Sequence, residues 1–310
     1  MSWVLWRQHR AQGAVAAIAL AAYAILLWIT GVHMANEFHS ALASCRTNGT
    51  CDELNLFSGD GAIIDLVNLS AAVPLLMGLF WGVTGIGREI DSGTHLLVWM
   101  QSVRRRDWLR GKITLLLVAA AVWGAGVTAI VTWWSGTLNS LDGNRFDPGK
   151  FDVQGIMPVA FALFGVSLGL AAGAVLRRVL PALAVTVVGF VAVRLIVVTY
   201  IRPYYQAAKV LVQPLSKDQS VPSGSWIITR DIVQNGQSVS SKLSFPAECL
   251  TPTSRQASDA CLTRHGFASA VKFQPASRYW TFQWIESGVF VALAAILIAV
   301  AVIAVRRRDA

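Results

Sequence analysis

Residues 113–134 read ITLLLVAAAVWGAGVTAIVTWW, an apolar stretch without a charged side chain. A helix rises about 1.5 Å per residue, so about 20 apolar residues cross the roughly 30 Å hydrocarbon core of a bilayer. Because no water is available there to satisfy the backbone, a chain crossing that core must be hydrogen-bonded internally. The stretch is therefore predicted to be a membrane-spanning helix.

Five further stretches have the same character. The chain is 55% hydrophobic and 14% charged, whereas an average soluble domain is roughly 25% charged. The fold class predicted is therefore an all-α polytopic membrane protein with six transmembrane helices. The predicted spans are residues 13–32, 63–86, 113–134, 155–176, 180–200 and 282–305.

Basic residues in the short connecting segments predict the orientation of these helices. Lys and Arg concentrate on the cytoplasmic side of membrane proteins, and here they concentrate in alternate segments, which predicts that both termini are cytoplasmic in the cell membrane. The formal net charge of +9 then reflects topology and attraction to membrane lipids, and no nucleic-acid partner is expected. The residues concerned are Arg7, Arg10, Arg88, Arg104, Arg105, Arg106, Arg110, Lys112, Arg177, Arg178, Arg306, Arg307 and Arg308.

The N-terminal segment 1–12 precedes span one and combines Trp3 and Trp6 with Arg7 and Arg10. This composition is typical of a short amphipathic helix that lies in the membrane interface, with its apolar side among the headgroups. The alternative is a frayed basic tail. Residues 13–200 then hold spans one to five.

All four cysteines fall in segments assigned to the outside, where disulfides persist. Sequence proximity favours the pairs Cys45–Cys51 and Cys249–Cys261 among the three possible connectivities. Neither pair has the C-x-x-C spacing that is common in zinc sites, so no metal is expected.

Residues 201–281 are predicted to form a small extracytoplasmic cap between spans five and six. Two β-prone runs flank Asn235-Gly236, the dipeptide that a type I′ hairpin turn favours. A domain of this size has a thin core, which a disulfide would reinforce. The remaining residues, 282–310, comprise span six and a basic cytoplasmic tail.

Two features stand out inside the spans. Arg194 is a basic residue well within span five, and a buried charge there requires a partner, for which Glu286 and Asp65 are the candidates. A place in a transport path, a structural ion pair and snorkelling toward the interface all remain open for Arg194. Span four carries a glycine ridge, residues 165, 169 and 173, which permits close helix contact within or between subunits.

The segment 87–112, between spans two and three, reads GREIDSGTHLLVWMQSVRRRDWLRGK. Its break at Asp91-Ser92-Gly93 is followed by a helix-capable run, 94–101, with an amphipathic character and a basic cluster beside it. Such a helix can dock into a groove of another protein. The alternative is an interfacial helix lying on lipid.

These motifs together resemble the permease subunits of ATP-binding cassette (ABC) transporters, in the type-2 exporter family and its actinobacterial form. The resemblance covers nearly the whole chain. Its matching residues are Arg88-Glu89, Ser92-Gly93-Thr94, Trp99 to Ser102, Arg105, Trp108-Leu109, Gly111-Lys112, NRFDP at 144–148, LRRVLPALAVT at 176–186 and QPASRYWTFQWIE at 274–286.

The resemblance implies two ABC ATP-binding subunits, which bind ATP and Mg, and a second permease subunit in a homodimer or heterodimer. In the family the loop between spans two and three carries a coupling helix, and spans two and five flank the pathway. Carried over, the coupling residues are Arg88, Glu89, Asp91, Ser92, Gly93, Thr94, Gln101, Arg104 and Arg105, and the candidate pathway residues are Asn68, Ser70, Thr186 and Arg194.

The chain lacks ATPase motifs of its own, so it is not expected to be an enzyme or to bind a cofactor. Gly111-Lys112 resembles the end of a phosphate-binding loop, but Arg106 stands where the first glycine is required. Two alternatives remain: an ion-gradient-driven secondary transporter, and a membrane sensor that signals through the cap. The first normally needs acidic ligands near mid-membrane, and Asp65 and Glu286 are predicted near the outer end.

Overall fold

A computed structural model describes residues 2–48, 61–92, 105–142, 144–215, 221–238, 245–250 and 254–307. Within them, six helical segments are long and apolar enough to cross a membrane, which confirms the six predicted spans. The spans cover Arg10–Ser44, Gly61–Glu89, Asp107–Gly136, Met157–Leu176, Val179–Tyr204 and Ala276–Arg307. Each helical segment is longer than the predicted span or matches it closely. Hydropathy marks the apolar part of a helix rather than its ends.

The helices are numbered in chain order, and the strands follow the same convention. Spans one, three, four, five and six correspond to α1, α5, α7, α8 and α10, and span two is divided among α2, α3 and α4. The helices are α1 Ser2–Asn48, α2 Gly61–Leu69, α3 Val73–Met77, α4 Thr84–Asp91, α5 Arg105–Asp142, α6 Pro148–Val153, α7 Met157–Leu176, α8 Val179–Ile196, α9 Arg255–Arg264 and α10 Tyr279–Arg307. The strands are β1 Lys209–Pro214, β2 Trp226–Gln234, β3 Gln237–Ser238 and β4 Phe267–Gln274.

Span one belongs to a single helix of 47 residues. A helix of that length is about 70 Å long, which exceeds the roughly 30 Å hydrocarbon core. The segment 1–12, predicted to be interfacial, is joined to the span without a break from residue 2 onward. Span one packs mainly on span three, where exposed Trp28 stacks on Trp133 with 5.0 Å between ring centroids.

Span two is interrupted twice. A 3-10 turn at Ser70–Ala72 separates α2 from α3, and a π-helical turn at Gly78–Val83 separates α3 from α4. Pro74 follows the first interruption, and its missing N–H removes one donor from the helical ladder. Span two therefore contains two places at which its axis can bend.

Span four lies at the centre of the bundle and contacts spans two, three, five and six. Its glycines face the glycines of span two: a Cβ on Gly82 would lie 2.6 Å from the Val166 carbonyl oxygen and 2.9 Å from the Gly169 Cα. Gly173 likewise faces Gly87. The contact permitted by the glycine ridge is thus made within the subunit, backbone against backbone.

The cap, residues 201–281, contains an antiparallel sheet in the order β1-β4-β2-β3. β2 and β3 are joined at Asn235 and Gly236, whose φ angles of 51° and 82° match the predicted turn. The small β component expected of the cap is therefore confirmed.

The cap also contains the predicted Cys249–Cys261 disulfide, with 5.4 Å between the two Cα atoms. It packs with Leu262 and Phe267 in a small apolar core. The other predicted disulfide involves Cys51 and the side chain of Cys45, which lie outside the part of the chain that the structure describes. That pairing stays a prediction.

Candidate functional site

Four charged side chains meet at the end of the bundle that carries the cap, and we call them the cap-side joint: Asp152 of α6, Arg194 of span five, Arg202 in the 3-10 turn at the end of span five and Glu286 of span six. Arg202 donates to both carboxylate oxygens of Glu286, at 2.7 Å from Nε and 2.6 Å from Nη2. Arg202 also pairs with Asp152. Arg194 donates to the other oxygen of Asp152, at 3.0 Å from Nε and 2.6 Å from Nη2.

Three of the four side chains of the cap-side joint are almost completely buried. The side chains of Arg202 and Glu286 are 0% exposed and that of Asp152 is 1% exposed. The ring of Phe151 lies over the Arg202 guanidinium, 4.3 Å from its Cζ. Two positive and two negative charges balance one another, which is the arrangement that makes buried charge tolerable.

The structure replaces both predicted partners of Arg194 with Asp152. Glu286 belongs to the same joint but binds Arg202 instead, and Asp65 is exposed on α2 and takes no part in the joint. The prediction considered carboxylates of the apolar spans, whereas Asp152 lies in the short connecting helix α6. A signal for that helix was present: Asp147 caps it through the Gly149 N–H, and Pro148 opens it.

Arg194 connects the cap-side joint to span two. Its Nη1 donates to the Ala71 carbonyl at 3.1 Å, inside the 3-10 turn that interrupts that span. The side chain is 25% exposed, so it lies at the edge of the joint rather than in its centre. Arg194 therefore links spans two and five at the first break of span two.

The other candidate pathway residues divide into two places. Ser70 lies in the same 3-10 turn and donates to the Val67 carbonyl at 2.6 Å. Asn68, two residues earlier, lines a cavity of about 20 Å³ with Lys150 and Gln154. Thr186 is buried in span five and donates to Ala182 O at 2.7 Å. The structure thus brings Asn68, Ser70 and Arg194 to one region and leaves Thr186 apart.

The opposite end of the bundle holds a second ionic contact, which we call the loop-side joint: Glu89 at the end of span two and Lys112 at the start of span three. The two side chains form an ion pair, with Lys112 1% exposed and Glu89 14% exposed. Lys112 Nζ also donates to the Gly85 carbonyl at 2.9 Å and lies 4.9 Å from the Trp108 ring centroid. The pair closes the base of the loop 87–112.

The predicted coupling residues that precede the loop are also in contact with span five. Asp91 Oδ2 accepts a long hydrogen bond of 3.4 Å from the Val179 N–H, which is the first amide of span five and lies at the positive end of the helix dipole. Ser92 donates to the Arg88 carbonyl at 2.8 Å, and the Arg88 side chain is exposed. The loop therefore begins where spans two, three and five meet.

The remaining coupling residues cannot be placed in the same way. Gly93, Thr94, Gln101 and Arg104 lie outside the described residues, as does the side chain of Arg105 at the start of α5. Their role stays a prediction. Lys112 is among the residues that carry the family resemblance, but it was not predicted as a coupling residue. Nothing in the sequence pairs it with Glu89.

Comparison with known proteins adds one match. A family model described as "ABC-2 membrane transporter related" matches residues 17–202. The matched region contains five of the six spans, the loop 87–112 and three members of the cap-side joint. No curated protein and no solved structure matches the chain.

Proposed function

We propose that this chain, which belongs to the ABC-2 membrane transporter related family, is the permease subunit of an ATP-driven exporter. Its partners would be two ABC ATP-binding subunits, which hold ATP and Mg, and a second permease subunit of the same or another sequence. The loop side would face the cytoplasm and the cap the outside. The distribution of Lys and Arg among the short segments supports that orientation.

The observation that carries this proposal is the closed base of the loop 87–112. A loop that transmits force must be fixed to the helices it moves, and the Glu89–Lys112 pair fixes it to spans two and three together. The Asp91 contact adds the first turn of span five. A cassette subunit that displaces the loop would therefore displace three spans rather than one flexible connector.

Span two is suited to pass such a displacement onward. Its two interruptions, at Ser70–Ala72 and Gly78–Val83, allow the loop-side part to move relative to the cap-side part. At this point the glycine contact brings the backbones of spans two and four directly together. At the first interruption Arg194 meets span two, so motion from the loop would reach the region of Asn68, Ser70 and Arg194.

An ion-gradient-driven transporter is less well supported. Such a protein needs carboxylates that can bind and release an ion, whereas Asp152 and Glu286 already accept hydrogen bonds from Arg194 and Arg202. Both carboxylates belong to the cap-side joint, in which two positive and two negative side chains give no net charge. ATP hydrolysed by a partner subunit is therefore the energy source that we propose.

The test is co-purification of this chain with a candidate ABC ATP-binding subunit. Arg105→Glu reverses a charge in the predicted coupling segment, and Arg264→Glu makes the same reversal at an exposed position of the cap. We expect Arg105→Glu to lower the amount of co-purified ATPase at least threefold, and Arg264→Glu to leave it unchanged. Equal recovery of the ATPase with both variants and the wild type would contradict docking through this loop.

A further inference from the structure

A small pocket lies beside the cap-side joint, where α2, span three and α6 meet. Its polar lining consists of Asn68, Ser135, Lys150 and Gln154. Its volume of about 20 Å³ slightly exceeds the roughly 10–15 Å³ that one water molecule needs. The pocket therefore admits one oxygen-sized group.

The polar side of the pocket is held in place by its neighbours. Ser135 and Gln154 are buried, and Asn139 Nδ2 donates to Gln154 Oε1 at 3.0 Å. The donor end of the Gln154 amide therefore faces away from Asn139. Asn68 lies directly on the backbone of α6, since a Cβ added to Gly149 would be 3.0 Å from Asn68 Oδ1.

The lining is rich in hydrogen-bond donors. Lys150 is its charged member and offers three N–H donors and no acceptor, and the Ser135 hydroxyl adds another donor. Among the described acidic residues nearby, Asp147 caps α6, Asp152 belongs to the cap-side joint and Asp65 is exposed outside the lining. An anionic oxygen therefore suits this pocket better than a cation.

The remaining wall of the pocket is apolar and includes three buried side chains: Val67, Trp134 and Val153. Two large apolar side chains next to the lining, Leu69 and Trp133, are exposed. Trp134 is also the last residue of the apolar stretch 113–134, at the level where the hydrocarbon core gives way to headgroups. The pocket is thus suited to a molecule with an ionised head and a hydrocarbon chain.

We propose that this pocket binds the anionic head of an amphiphile. One carboxylate or phosphate oxygen enters and pairs with Lys150, while the hydrocarbon chain lies along Leu69 and Trp133. A membrane lipid and an exported amphiphile share this chemistry. Binding itself needs no ATPase, since every lining residue belongs to this chain; only the identification of the amphiphile as cargo rests on the proposed function.

The experiment measures binding of radiolabelled palmitate to the full chain, purified in an uncharged detergent. Unlabelled palmitate and hexadecanol compete with the label, because they share a chain length and differ in charge. Hydrogen bonds to a charged group are stronger than those to a neutral one, so we expect hexadecanol to compete roughly tenfold less well. Equal competition by the acid and the alcohol would overturn the proposal.

Variants of the lining test whether this pocket is the place of binding. We expect Lys150→Gln to weaken palmitate binding about tenfold and Lys150→Arg, which keeps the charge, to change it little. Lys209→Gln, at an exposed lysine of β1 in the cap, is the matched control and should have no effect.

A second variant and a stability measurement guard against misfolding. Asn68 is exposed, so Asn68→Leu should fold normally and still weaken binding, about threefold, by removing an amide donor. The thermal midpoint of every variant shows whether it is folded. Folded Lys150→Gln or Asn68→Leu protein with wild-type affinity for palmitate would show that the pocket is not the site.

A last arm identifies the source of the amphiphile. The complex with a cassette subunit is loaded with palmitate in liposomes and then given ATP and Mg. Release that requires ATP and is lost in Lys150→Gln identifies cargo, whereas occupancy unchanged by ATP identifies a resident lipid. Both results support the pocket as an amphiphile site. Docking of the cassette subunit is judged separately, by co-purification.

Discussion

The two joints differ in how firmly they are built. The cap-side joint unites four charges from three helical elements and the Arg202 turn, and three of its side chains are at most 1% exposed. The loop-side joint is one ion pair in which Glu89 is 14% exposed. The described residues therefore hold the cap side with more buried ionic contacts than the loop side. On the proposed function, movement would enter at the loop-side joint and turn about the cap-side joint.

The largest effect is expected from breaking the cap-side joint at its centre. Arg202→Met leaves Glu286 as a buried charge without compensation, and removing one partner of a buried pair costs about 3–5 kcal/mol. Thermal unfolding in detergent should show a strong loss of stability. The double variant Arg202→Met with Glu286→Leu should recover a large part of it. Equal loss in the single and double variants would show that packing, not charge, dominates this joint.

The second-largest loss of stability is expected from a change in the glycine contact between spans two and four. Gly82→Leu places a side chain against the Val166 carbonyl and Gly169, and overpacking of this kind typically costs about 1–3 kcal/mol. The matched control is Gly288→Leu in span six, where an added Cβ meets nothing within 4 Å. Thermal unfolding should distinguish the two variants. Similar stability of both would contradict the close contact of spans two and four.

Breaking the loop-side joint should reduce the stability of the protein less than either of these changes. Lys112→Met removes the partner of Glu89 and the donor to the Gly85 carbonyl. Because Glu89 is 14% exposed whereas Glu286 is fully buried, we expect a loss of about 1–3 kcal/mol, below that of Arg202→Met. The same thermal unfolding measurement compares the two. A loss as large as that of Arg202→Met would mean that the two joints are equally rigid.

The smallest effect is expected at the contact of the loop with span five. Asp91→Ala removes the acceptor of the Val179 N–H, whose hydrogen bond is long at 3.4 Å. A carboxylate at a helix N-terminus contributes about 0.3–1 kcal/mol, so the unfolding midpoint should fall only slightly. Asp91→Asn keeps an acceptor oxygen and serves as the control. If Asp91→Ala exceeded Lys112→Met in effect, span five rather than span three would be the main anchor of the loop.

The sequence predicted those parts of the fold that the bilayer or local chemistry dictates. Hydropathy located the six spans, and Asn235-Gly236 located the hairpin, because each signal lies in contiguous residues. Proximity in sequence also indicated the Cys249–Cys261 disulfide.

Partners that are distant in sequence were not predictable in this way. Asp152 lies outside the spans, Arg202 follows the last apolar residues of span five, and Lys112 lies across the loop from Glu89. Each pairing depends on how helices are brought together in three dimensions. Hydropathy and motifs contain no information about that arrangement. Asp152 and Arg202 were therefore not singled out, and Arg194 was assigned to Glu286 or Asp65 instead of Asp152.

The central claim is that the Glu89–Lys112 joint transmits force from the ATPase to the spans. The most direct test measures ATP hydrolysis by the reconstituted complex, relative to the cassette subunit alone, in four proteins: wild type, Glu89→Lys, Lys112→Glu and the double swap. Both single variants bring like charges together and should reduce stimulated hydrolysis at least fivefold. The swap restores an ion pair and should return at least half of the wild-type stimulation. Single variants with wild-type stimulation, or a swap no better than either, would contradict the account.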